Sequence, residues 1–543
     1  MSELRLLRSE VAETRRLKDQ IIQLQNEVAN LRSATDSSFS GFSTASGRPD
    51  FSTLMNGGGL SGTSPGESLF RGGQPSASGS GGPGRFPGGQ RGGATSSIGS
   101  VGPESGHLQR GGQPSPGGSA SEEHIPFTAS YRYSSNATGP IGGGGYTHVS
   151  DVNDEFSVNL TNELTVDSTN FDRQNMPTIE QGFNIPFART FLFGNITKDW
   201  NYQIGTQAFL GTFNLLDLFM SYNAAPWLRV RFGRGLAPPL YEYYAFTPAL
   251  EPVITNSPLF QFAAGRPIGV MFSGNVLKNR VQYWMGINNQ AKSVYYNLNR
   301  NVEFDGAWDL TPFKGTDTVL EGLGGGFGFS AVWQNYLLRQ SSINFAQNGE
   351  SSTNASWVTS SGVPFMAYNP NVRAVGERIR VTPHLYWYGR LSFLGEYMLH
   401  SRELTDGVVT GRSTQHAYYV MLSYYLTGER DFRGNGFQGY STTVPLRPFL
   451  PSKGEWGPGA WQLAAQWSEV NAGTGDFARG FSDPARWTNR LDQLMSGVNW
   501  WPNKYTRLSF NWVWSQFNRP IPISGPTPIQ SFNTFWLRFA MFF

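Results

Sequence analysis

Arginine on alternate residues is the plainest chemistry in this chain. In 227–234, Arg229 and Arg231 alternate with Leu228, Val230 and Phe232. In 376–386, Arg378 and Arg380 alternate with Ile379 and Val381, and Thr382, His384 and Tyr386 continue the polar row. In 505–517, Arg507, Ser509 and Asn511 alternate with Leu508, Phe510 and Trp512, and near the end Arg538 lies between Leu537 and Phe539. A period of two is that of a β-strand, whose side chains point to opposite faces. One face is then apolar, and the other carries planar forks suited to phosphate, sulfate or carboxylate oxygens. The same cations could instead pair with acids such as Glu163 and Glu396 and brace a wall. The sequence leaves both open.

The elements that would position such rows are the staves of a barrel in lipid. Ser531 to Phe543 reads SFNTFWLRFAMFF, with Phe535, Leu537, Phe539, Met541 and Phe543 on one face. Left unpaired, that edge would aggregate, whereas pairing with a first strand removes it and turns the apolar face to lipid. Alternating segments recur near 156–166, 183–196, 200–209, 212–222, 227–234, 267–277, 280–289, 302–311, 324–333, 376–386, 391–401, 415–427, 459–469, 491–501, 505–517 and 531–543. The expectation is therefore all-β: a sixteen-stranded antiparallel transmembrane barrel, whose even strand count returns both ends to the periplasm. Tight turns (197–199, 278–279, 502–504) and long loops (235–266, 334–375, 470–490) fall on opposite sides, and only 428–458 breaks the pattern. Turning an arginine toward lipid at mid-bilayer would cost roughly 2–4 kcal/mol. The pore-lining set is thus Arg229, Arg231, Arg378, Arg380, His384, Arg507 and Arg538.

Composition narrows the class. The chain has 543 residues, with 16 Trp, 22 Tyr and 39 Phe, the aromatic excess that membrane-interface girdles use. No apolar run approaches the ~20 residues of a spanning helix. No cysteine is present and the six histidines lack ligand spacing, so no disulfide, thiolate site, metal or cofactor is expected. A net charge of +3 gives no reason to expect a nucleic-acid partner.

Four segments follow in order. Residues 1–33 read as a coiled coil, with Leu17, Ile21, Leu24, Val28 and Leu31 spaced 4, 3, 4, 3. Residues 34–123 are a Gly/Ser/Pro-rich flexible linker, 124–154 a periplasmic lead-in, and 155–543 the barrel. The alternating piece Phe127 to Tyr133 has no place among the sixteen strands. The start, MSELRLLRSE, has no apolar leader, so an export signal is expected upstream of the sequence given.

LRVRFGRG (228–235) followed by GRPIGVMFSGNVLKNRVQYWMGINN (265–289) resembles the centre of the phosphate-selective porin O/P family. LTGERDFRGNGFQG (426–439), GPGAWQLAAQWSEVN (457–471) and MSGVNWWPNKYTRLSF (495–510) resemble its later blocks in the same order. The resemblance implies a trimeric outer-membrane porin whose third loop folds inward to constrict each pore. Here that loop is 235–266, with Tyr241, Glu242, Tyr243, Tyr244 and Glu251 inside it and Arg266 at its far end. It contains no Lys, so an aromatic, mildly acidic eyelet is expected rather than a dedicated phosphate site. The functional expectation is a passive channel for small hydrophilic solutes or ions, with an anion preference. Its partners would be outer-membrane lipid, further copies of itself and, through the periplasmic N-terminal tether, the cell wall. The alternative is a barrel-anchored structural or adhesive protein. An enzyme is not expected, because no nucleophile accompanies His384 and His400.

Overall fold

The computed structural model describes residues 127–134, 144–173, 176, 181–209, 212–246, 250–263, 265–289, 302–337, 356–433, 440, 442–523 and 527–543. The coiled coil and the linker expected over 1–123 lie outside them. Sixteen antiparallel strands, from Ser157–Phe171 to Ile529–Phe542, follow one another around a closed sheet. The last pairs with the first, from Thr534 opposite Phe171 to Phe542 opposite Glu163. Beyond that ladder, Phe543 and Asn162 exchange two further backbone hydrogen bonds (2.6 and 3.1 Å). Every strand finds its neighbours, which is what lipid demands of a backbone.

Each of the sixteen expected segments is a strand, although several run further than expected. Arg373–Trp387, Thr410–Tyr425 and Leu323–Leu337 all extend past their apolar alternation. The start of Thr410–Tyr425, Thr410 to Thr414, has no apolar residue on either face, so hydropathy does not mark it while the ladder continues. The outward rows are apolar, with Phe327, Leu385, Phe510, Phe535 and Leu537 exposed. The inward rows are buried. Phe127–Ser134 stands outside the sixteen, in a hairpin with Gly144–Asp151, and Thr147–Ser150 of the second strand extends the edge of Ser157–Leu160. The hairpin lies at the short-turn end, with Tyr131 and Tyr133 against Tyr505 and the Tyr133 hydroxyl 3.1 Å from Thr442.

Two glycines show how the interior is filled. Gly233 has φ +123°, and a Cβ there would lie 2.3 Å from the Leu218 carbonyl, so only glycine fits where the wall bends into the loop. Gly328 faces inward, and a Cβ there would lie 2.0 Å from the Pro239 carbonyl, so the loop backbone rests directly on the strand.

The closing seam holds one buried pair. Arg538 on the last strand donates Nε and Nη2 to Asp167 on the first at 2.8 and 2.7 Å, and Trp536 Nε1 adds 2.7 Å. Breaking such a pair from one side typically costs about 3–5 kcal/mol, because a bare charge stays buried. Asp167→Ala should therefore lower the urea midpoint and the temperature of the electrophoretic shift. The double change Asp167→Leu with Arg538→Met should recover most of the loss.

Candidate solute pathway

The segment between Arg234 and Ile268 is the centre of the interior. It carries the short helix Tyr241–Ala245 and the 3₁₀ turn Pro258–Phe262, both buried. Its backbone is tied to the wall on many sides. Glu396 accepts the amides of Tyr241 and Glu242 at 2.7 and 3.1 Å, and Thr382 Oγ1 donates to the Pro239 carbonyl at 2.6 Å. Across the barrel, Arg507 donates to the Glu251 carbonyl (2.6 Å), Asn499 to Pro252 (2.7 Å) and Arg538 to Ile254 (2.7 Å). Turn carbonyls outside any ladder are orphan acceptors, and these wall side chains satisfy them.

Two more connections join the loop inside. Ser356–Val358 and Pro364–Ala367 form a buried hairpin, from which Val358 N donates to Gln261 Oε1 at 3.0 Å. Ser360 between them donates to Gln493 through its amide and its hydroxyl at 3.1 and 3.0 Å. From the short-turn end comes 426–459, the one long connection on that side. There Asp431 accepts hydroxyls from Tyr440, Ser392, Tyr425 and Ser423 at 2.6–3.2 Å, while Arg433 pairs with Asp309.

The seven arginine and histidine positions read from strand parity have these surroundings. Arg378 and Arg380 each reach Glu303 at 2.8 Å and are 0 and 1% exposed. His384 lies 3.5 Å from Asp309 and stacks on Tyr241 at 4.3 Å between centroids. Arg507 and Arg538 hold the loop as described. Arg229 bonds Ser221 twice (3.0 and 2.7 Å), and Arg231 donates to the Leu236 carbonyl at 2.6 Å. Arg229 is exposed and Arg231 half-buried. The acids thought to serve these cations serve others. Glu163 lies 3.5 Å from Arg189, and Glu396 is taken up by the loop amides.

The loop residues correct the picture of an acidic eyelet. Tyr241 and Tyr244 are fully buried, and the ring of Tyr243 meets Phe260 at 4.9 Å. Arg266 is engaged by Asp217 at 3.0 Å. Glu242 and Glu251 are each 1% exposed and turn into the loop itself, where Ser257 donates its amide to Glu242 (2.5 Å) and Asn256 donates to Glu251 (2.6 Å). The aromatic rings need burial and the carboxyls need donors, and the folded loop supplies both internally.

Sequence reading missed Arg402. It lies directly opposite Arg378 on the inner face, between the rings of Trp357 and Tyr368, each 5.0 Å away. The inward row His400, Arg402 would have revealed it had 391–401 been extended by one residue. Asp431 and Arg433 lie in a connection with no periodicity, so nothing local marks them.

A closed sixteen-stranded barrel, apolar outside and charged within, with a loop folded into its lumen, has the architecture of an outer-membrane channel. Residues 255–520 match the family model described as phosphate-selective porin O and P. The chain is thus a porin of the bacterial outer membrane, a channel for small solutes. No curated protein matches it significantly. Among solved structures it is similar to an anion-selective porin from Comamonas acidovorans (12% identity, 72% of this chain and 100% of that one, TM-score 0.42). OmpT of Vibrio cholerae gives 9% identity, 72% and 98% coverage and a TM-score of 0.43. The channel DcaP of Acinetobacter baumannii gives 10% identity, 72% and 98% coverage and a TM-score of 0.42.

The loop carboxyls make a pH prediction. Burial, then the adjacent Glu242, pushes Glu251 well above the ordinary carboxylate range, with Arg507 and Arg538 opposing. Burial also raises Glu242, which hydrogen bonds from Glu251, Ser257 and Asn256 hold down. An acid whose pKa is raised by seating carries no penalty below the free-carboxylate range. The penalty grows as pH rises through and above that range. Loop seating should therefore loosen with rising pH, seen as more frequent conductance transitions as pH climbs above about 5. Glu251→Gln, which keeps the carbonyl that Arg507 holds, should flatten that dependence.

Proposed function

We propose that this porin is a narrow passive pore that favours small anions without a dedicated phosphate site. The observation that carries this reading is the unequal exposure of charge on the inner face. Arg229 is open to solvent and Arg231 partly so, whereas Asp217, Glu242, Glu251 and Asp305 are at most 2% exposed. An accessible guanidinium near the short-turn mouth draws anions and repels cations over about a Debye length. Deeper in, Arg378 and Arg380 share one carboxylate, Glu303, and Arg402 lies opposite Arg378. Against phosphate specificity, the loop brings no lysine to the constriction, and its Arg266 is already paired with Asp217.

In this reading the barrel works as a homotrimer, the arrangement the family resemblance implies, with the short-turn end toward the periplasm. The hairpin 127–151 leads the chain in at that end, which supports a periplasmic place for the coiled coil over 1–33 and the linker over 34–123. There they would tether the trimer, with the cell wall as the partner.

Reversal potential across a KCl gradient in planar bilayers tests the selectivity. The wild type should favour chloride, and Arg229→Gln with Arg231→Gln should lower the chloride-to-potassium ratio by about twofold or more. Preference for potassium in the wild type, or block by low phosphate, would sink the reading.

A further inference from the structure

One stretch of wall has a different chemistry from the arginine face. On Ala460–Asn471, Arg490–Asn503 and Thr506–Ile521, six inward side chains are buried with polar atoms that have no hydrogen-bond partner among the described residues. These are Trp501 Nε1, Ser509 Oγ, Gln462 Nε2, both amide atoms of Asn511, both amide atoms of Gln466, and Ser468 Oγ. All six residues are at most 2% exposed. Buried polar groups are nearly always satisfied, so six such residues on three neighbouring strands call for a reason.

Their register supplies one. Ser509 pairs across with Asn499 and hence Gln462, and Asn511 with Gly497 and hence Ala464. One step on, Gln466 shares its row with Met495 and Val513, and Ser468 shares the next with Gln493 and Ser515. Trp501, opposite Ala460, lies one row below Ser509. The orphans therefore occupy five successive rows, climbing from the short-turn end in steps of about 7 Å, two residues of strand each. The wall beneath is cut low at Ala464 and Gly497, and a Cβ on Gly497 would lie 2.4 Å from Asn511 Nδ2.

We propose that these rungs form a track for small uncharged polyhydroxylated solutes, separate from the arginine face. No rung carries a formal charge. Arg538, opposite Ser509, is committed to Asp167 and the Ile254 carbonyl, and Arg507 to the Glu251 carbonyl and Asn499. Amides and hydroxyls both donate and accept, which matches sugar and polyol hydroxyls and leaves an ion unneutralised. Loop residues 251–254 are pinned over its lower rows and Ser360 is held by Gln493 in its top row, so solute passes between these segments and the wall when those contacts give way. The inference rests on the channel reading above.

The test uses the full chain in liposomes, with arabinose as the uncharged probe, and in planar bilayers with KCl. The double variant Gln466→Leu, Asn511→Leu should slow arabinose-driven swelling by about threefold or more, the loss expected for removing hydrogen bonds to a passing solute. Chloride conductance should stay, and the unfolding temperature should hold or rise, because apolar groups suit a buried wall better than orphaned amides. Unchanged swelling overturns the track, and so does a fall in unfolding temperature accompanied by equal losses of swelling and conductance. Where the amide variants fail to insert, Ser468→Ala with Ser509→Ala removes only hydroxyls and should show the same selective loss. A wild type that conducts chloride but excludes arabinose sinks the track alone, whereas one that passes neither sinks the channel reading itself.

Discussion

Everything in this structure depends on the last strand finding the first. In hydrocarbon an unpaired backbone amide or carbonyl has no water to turn to, so a sheet there is stable only when closed. The ladder between Ile529–Phe542 and Ser157–Phe171 supplies that closure. It also fixes which charges meet, because Arg538 and Asp167 stand opposite each other only in this register. A barrel of sixteen strands encloses a wide interior, and what fills it decides what can pass.

Here the filling is polypeptide. The loop following Leu228–Arg234 crosses to the far wall, and a hairpin from the long-loop end and a connection from the short-turn end meet it. Much of the binding is done by side chains of the wall acting on loop backbone. Glu396 takes two amides, while Arg507, Asn499 and Arg538 each donate to a carbonyl. Arginines that look like solute ligands in the sequence are thus partly scaffolding. Arg229 and Arg231, nearer the mouth, keep access to solvent. Selectivity and loop seating are therefore coupled, since some of the same guanidiniums lie next to both.

The interior is also divided. Arg378, Arg380 and Arg402 gather on Arg373–Trp387 and Leu391–Thr405, and the neutral amides and hydroxyls gather on the three strands from Ala460 to Ile521. Burying a guanidinium requires an acid or several acceptors nearby, so the cationic side draws in Glu303 and the aromatic rings around Arg402. The neutral side has no such requirement and is left with unanswered hydrogen-bonding capacity.

What the sequence determined by itself was the faces. Alternation at Arg378, Arg380, Thr382, His384 and Tyr386 assigns them to the inside, because a slip of one residue would drive each cation into lipid. The number of strands was legible for the same reason, whereas the inward turn of 235–266 was expected only from the family resemblance. Partners were not. Glu303 lies 75 residues from Arg378 and reaches it across the intervening strand, so Glu163 and Glu396 looked equally suitable on paper. Nor could local pattern show that Glu242 and Glu251 answer to Ser257 and Asn256, or that 426–459 enters the barrel to place Arg433 beside Asp309. Periodicity is a property of a few neighbouring residues and fixes direction. The meeting of charges distant in sequence waits on closure, register and the path of loops that carry no period at all.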